Sequence, residues 1–73
     1  MKEKSIGEKV REYRLKKGMT QDALAAELRV SSQAVSKWEN GQTMPDISLL
    51  LPLSRALEIG VNDLLGGDRR AEL

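Results

Sequence analysis

The 73-residue sequence predicts an all-α domain of five short helices, and three observations predict it. Apolar residues recur at three- and four-residue spacings, and no stretch alternates as a strand would. One local grammar appears three times: an apolar residue, a capping residue, then an apolar residue at the fourth helical position. It reads Met19-Thr20 before Leu24, Val30-Ser31 before Val35, and Ile59-Gly60 before Leu64. Glycine follows the first and third helical patterns, at Gly18 and Gly41, where helices commonly stop.

Taken in order, the first helix is expected from about Ser5 to Lys17, with Ile6, Val10, Tyr13 and Leu15 as its apolar positions. The second is capped by Thr20 and closes near Leu28. The third is capped by Ser31 and reaches Asn40. A fourth is read from about Asp46 to Glu58, entered through Pro45. Pro52 falls inside it and removes one backbone hydrogen bond, so a kink, a local break or a division into two shorter turns is expected. A short fifth helix follows Gly60. Leu49, Leu50, Leu53, Leu57 and Ile59 are expected to supply most of the apolar surface of the core. Residues 1–66 read as one domain and 67–73 as a flexible C-terminal tail with little to bury.

Composition narrows the function before any motif does. Hydrophobic residues make up 40% and charged residues 32%, a globular balance. Without a cysteine or a histidine, a disulfide framework, a thiolate nucleophile and a Cys/His metal site are excluded, and no cofactor is expected. No apolar run approaches the roughly 18 residues of a membrane span. Nothing resembles a signal peptide, and the cytoplasm is the expected compartment. Among the remaining carboxylates and serines there is no nucleophile–base spacing and no phosphate-cradling glycine loop, so an enzyme is not expected.

The net charge of +1 is unevenly spread. Residues 1–17 carry seven cations against three acids, a net of +4, whereas 18–41 carry −1 and 42–73 carry −2. A basic first segment suits a polyanion docked on one face, although an ordinary solvated helix face explains it more simply. Attachment to a membrane surface is disfavoured, because Glu3, Glu8 and Glu12 interrupt the basic run.

Helices two and three are joined by only Arg29-Val30-Ser31, so they must cross steeply, which is the helix-turn-helix geometry. Ala25 lets them approach, and Leu24, Leu28, Val30, Val35 and Trp38 fill the angle between them. Ser32, Gln33, Ser36, Lys37 and Asn40 remain outward on the third helix, all polar and none acidic. Such amide, hydroxyl and ammonium groups pair with base edges and phosphates in a major groove. On composition alone, a solvated helix face fits them as well.

The run from Met19 to Ala25, the run Val30-Ser31-Ser32-Gln33-Ala34-Val35-Ser36-Lys37-Trp38-Glu39-Asn40-Gly41, Pro45 and the later Leu64-Leu65-Gly66 together resemble the XRE-type family. These are the phage Cro and repressor-like helix-turn-helix domains of bacterial regulators, and the resemblance covers roughly residues 6–66. It implies a compact five-helix bundle that binds double-stranded operator DNA, usually as a homodimer on a near-palindromic site. By position, it implies base reading by Ser32, Gln33, Ser36 and Lys37, and phosphate contact by Gln21 at the start of helix two. It also places Ser31 and Asn40 at positions that touch the backbone or cap the helix, and pairs Arg14 with Glu39 across helices one and three. Trp38 is expected in the core.

Two departures from the family pattern stand out. Position 29 often holds glycine, because the turn favours a left-handed backbone. Arg29 there costs on the order of 1 kcal/mol, and it offers a phosphate contact in return. No sensory or catalytic domain follows residue 66, so control by abundance, proteolysis or a partner protein is expected. The sequence therefore reads as a DNA-binding transcriptional regulator, a repressor, using helix three from about Ser32 to Asn40. The rival is a protein-interaction module, such as an antitoxin or antirepressor component, with Leu65 and Leu73 as partner anchors.

Overall fold

The computed structural model describes residues 5–65, and the five expected helices follow one another in the expected order. They are α1 (Ile6–Lys16), α2 (Gln21–Leu28), α3 (Ser32–Glu39), α4 (Leu50–Leu57) and α5 (Val61–Leu64). There is no strand among the described residues. The tail beyond residue 66, with the proposed anchor Leu73, lies outside them.

Side-chain caps decide where the first three helices begin. Ser5 Oγ accepts from the Glu8 amide at 3.2 Å, while Glu8 Oε1 accepts from the Ser5 amide at 2.9 Å, closing a reciprocal capping box. Thr20 Oγ1 accepts from the Ala23 amide at 3.0 Å, and Ser31 Oγ from the Ala34 amide at 3.1 Å. Each bond satisfies an amide that has no partner inside its own helix. The expected starts of α1 to α3 therefore hold to within a residue.

The fourth helix corrects the sequence reading. It begins at Leu50 rather than at Asp46, and Ile47–Leu49 form a separate 3-10 turn. Pro52 is thereby third in α4, inside the first turn, where the missing amide hydrogen has no intrahelical acceptor to lose. Of the outcomes expected there, division into two shorter pieces is the one that occurs. Asp46 caps the 3-10 turn, its Oδ2 accepting from the Ser48 amide at 3.0 Å and from Ser48 Oγ at 2.6 Å. Those two bonds hold the Asp46 carboxyl below its ordinary value of 3.8, so the cap is complete above that value and is lost as pH falls through the lowered one.

Every helix contributes to one core of Val10, Leu24, Ala25, Leu28, Val35, Trp38, Leu53, Leu57 and Leu64. Leu49, Leu50 and Ile59, expected as major contributors, are only partly buried against it, and Leu15 points out at 57% exposure. Val30 likewise packs at the edge of the core. One close approach of two helices is not identified by the sequence reading. Gly7, in the first turn of α1, is buried, and a Cβ built there would lie 1.8 Å from the Trp38 carbonyl oxygen. Only glycine lets the α1 backbone lie against the end of α3.

Two changes test these backbone constraints. Gly7→Ala must push α1 from α3, because the obstructing atoms are main chain, and should destabilise the fold by about 2–3 kcal/mol in denaturant titration. Arg29, the C-cap of α2, has φ 60° in the left-handed region, so Arg29→Gly should stabilise the fold by about 1 kcal/mol and raise Tm by several degrees, whereas Arg29→Ala, which keeps the strain, should not. Equal melting temperatures for the two Arg29 variants would refute the second expectation.

Candidate nucleic-acid interface

The steep α2–α3 turn rests on one unusual backbone. Arg29 has φ 60° and ψ 42°, the left-handed conformation, and its amide reaches back to the carbonyls of Ala25 and Ala26 to close α2. The Val30 amide then donates to the Ala25 carbonyl at 3.0 Å, and Ser31 caps α3 two residues after the closure. The strain anticipated for a non-glycine residue at 29 is thus present. Glu58 repeats this geometry at the end of α4, with φ 58°, and nothing in the sequence marked it.

Within this frame α3 has a buried side and a free side. Val35 and Trp38 enter the core. Gln33 and Lys37, one helical turn apart, are exposed, and neither the carboxamide nor the ammonium has a bonding partner among the described residues. Ser32 and Ser36 flank them half-buried. Asn40 is the exposed C-cap of α3, its side-chain amide 3.5 Å from Ser36 Oγ. Ser31 is occupied as a cap, and Arg29 is exposed at the turn.

Arg14 and Glu39 are brought together as the resemblance implies. Arg14 Nε donates to Glu39 Oε2 at 2.7 Å and Nη2 to Oε1 at 3.0 Å, with the side chains 9% and 3% exposed. A forked bond of this kind satisfies both charges in a site with little water. Two further contacts were not legible in the sequence. Arg14 Nη1 donates to the Met19 carbonyl at 2.8 Å, and Gln21 Nε2 donates to Glu39 Oε1 at 3.0 Å. Gln21, expected only as a phosphate contact, is therefore also tied to the end of α3.

Among the described cations of the first segment, Lys9, Lys16 and Lys17, like Arg14, are engaged within the molecule. Lys9 Nζ donates to the Asp63 carbonyl at 2.6 Å, Lys16 lies 3.5 Å from Glu12 and Lys17 2.7 Å from Glu58. Lys17 holds the Glu58 carboxyl below its ordinary range. The distinguishing feature is the unpartnered face of α3.

A helix-turn-helix family model matches residues 10–64. The chain is 41% identical over 63 residues to the C2 repressor of Salmonella phage P22, covering 86% of this chain and 29% of that protein. It is 38% identical over 63 residues to the transcriptional activator BcrR of Enterococcus faecalis, covering 86% and 31%. It thus spans about a third of the length of these curated relatives. Among solved structures, the P22 c2 repressor in complex with a synthetic operator superimposes with a TM-score of 0.83 at 38% identity, over 89% of this chain and 98% of that one. The left-handed turn, the buried Trp38, the Arg14–Glu39 fork and these matches lead to one conclusion: the chain belongs to the XRE-type helix-turn-helix family.

Proposed function

We propose that this chain is a sequence-specific DNA-binding transcriptional regulator that acts as a repressor and reads the major groove with α3. The observation that carries this is the exposed pair Gln33 and Lys37, unpartnered among the described residues, on the side of α3 opposite the buried Val35. A glutamine carboxamide pairs bidentately with adenine, and a lysine ammonium with guanine acceptors or phosphate. Ser32 and Ser36 complete the reading face. Gln21, Ser31, Asn40 and Arg29 supply the phosphate contacts that fix register without carrying sequence information. The similarity to an operator-bound repressor supports this assignment. Repression needs only occupancy of a promoter, and the role is one of binding without catalysis.

A single module of this size buries only about 600–1,000 Å² on DNA. A homodimer on a near-palindromic operator, with half-sites about one helical turn apart, supplies the missing affinity. Both named relatives are transcriptional regulators, which favours this reading over an antitoxin or antirepressor component. None of the helices described is long and apolar enough to cross a membrane, in keeping with a regulator that meets DNA directly.

Selection from a random duplex library at near-physiological salt should enrich a near-palindrome. On that site Gln33→Ala and Lys37→Ala should each cost about 1–3 kcal/mol with unchanged Tm, measured by fluorescence anisotropy. Binding should also fall log-linearly with salt as counterions are released. Wild-type affinity in both folded variants would show that the reading face lies elsewhere, and a library without enrichment would favour the interaction-module alternative.

A further inference from the structure

The reading helix and the proposed phosphate anchor of α2 share one buried carboxylate. Glu39 is the last residue of α3, and its side chain is almost fully buried. Its two oxygens accept three N–H groups: Arg14 Nε and Nη2 from α1, and Gln21 Nε2 from the first turn of α2. The Arg14 guanidinium extends the clamp by donating to the Met19 carbonyl, just before the cap of α2.

A glutamine side chain ends in an acceptor oxygen and a nitrogen bearing two donor hydrogens, and it can turn either end toward a neighbour. Beside a carboxylate only the nitrogen end is favourable, since the flipped oxygen would face another oxygen. Glu39 therefore fixes which way the Gln21 carboxamide lies. One amide hydrogen is held by Glu39, and the second has no partner among the described residues. Asp22 brings an exposed carboxylate to the same turn, so a phosphate is retained there only by donors kept in position.

We propose that Glu39 is a positioning residue for DNA binding: it orients the Gln21 carboxamide toward a backbone phosphate and fixes that anchor relative to the reading face of α3. This rests on the reading of Gln21 as a phosphate contact. The carboxylate touches no DNA. It acts through Gln21, and it weights all duplexes alike because phosphate contacts carry no sequence information.

The test is a double-mutant cycle on the full chain, using the selected duplex and a scrambled one at several salt concentrations. Gln21→Ala and Glu39→Gln should each weaken both duplexes by roughly five- to tenfold, the scale of one net hydrogen bond. Gln21→Ala should leave the salt slope near its wild-type value, because a neutral carboxamide releases no counterion. The double variant should bind no worse than the weaker single. A purely structural Glu39 would lower Tm yet leave the DNA affinity of the folded protein unchanged, and losses that multiply in the double variant would likewise overturn the coupling.

If Glu39→Gln does not fold because Arg14 is left without a counter-charge, the neutral pair Arg14→Gln with Glu39→Gln replaces it as background. Gln21→Ala should then cost nothing further, and a full five- to tenfold loss there would refute the proposal. The Gln21 side-chain amide resonances of the wild type give a reading independent of folding in any variant. They should be resolved from those of free glutamine and should shift when the duplex is added; signals that do neither would also overturn it. A wild-type chain that binds no duplex overturns both the DNA-binding reading and this inference, whereas normal binding with independent losses overturns the inference alone.

Discussion

Trp38 fixes α3 from two directions. Its indole is in the core among residues from every helix, and its carbonyl lies against Gly7 at a separation that leaves no room for a Cβ. The first contact sets the rotation of α3 about its axis and so determines which residues face outward. The second sets how closely α3 lies on α1. Because interiors are packed at crystal-like density, a displacement at either contact passes into the helix as a rigid shift. The outward positions of Gln33 and Lys37 follow from this seating, since they lie one turn apart on the face of α3 turned away from the buried Val35 and Trp38.

Electrostatics plays a narrower part than the charge distribution suggests. Among the described residues, two cations of the first segment pin α1 to its neighbours, Lys9 to α5 and Lys17 to the end of α4. Exposed pairs such as Lys16 with Glu12 contribute little to stability. The buried Arg14–Glu39 fork is different in kind. Two charges have been removed from water and must satisfy one another completely, so the geometry around them is rigid. That rigidity makes Glu39 a useful fixed point for a neighbouring amide, and places one demand of recognition on a group that contacts no DNA.

Backbone strain is tolerated where it shapes the turn. A left-handed arginine at position 29 closes α2 in a single residue, and the tight α2–α3 crossing depends on this. Glycine would adopt the conformation more easily, so the side chain at 29 carries a cost that the fold itself does not require. The exposed guanidinium beside the N-terminus of α3 is the feature that glycine would lack.

The helices were legible wherever a short-range signal defined them. Capping hydroxyls at Thr20 and Ser31, staples at Met19 and Val30, and stops at Gly18 and Gly41 act over four or five residues, so sequence alone located α1 to α3 and the polar face of α3. Pro52 was legible as a disturbance but not in its outcome, because where α4 starts depends on whether Asp46 can close a separate 3-10 turn ahead of it. Gly7 carried a signal that went unused: a glycine inside a well-capped first turn lowers helix propensity and asks for a packing reason. The Gln21–Glu39 bond and the left-handed Glu58 had no local signature. Sequence determined the first three helices and the polar face of α3, since these depend on neighbours along the chain. Tertiary structure alone decided which cations stay free, how closely α1 meets α3 and which way Gln21 turns, because each depends on groups that meet only when the helices pack.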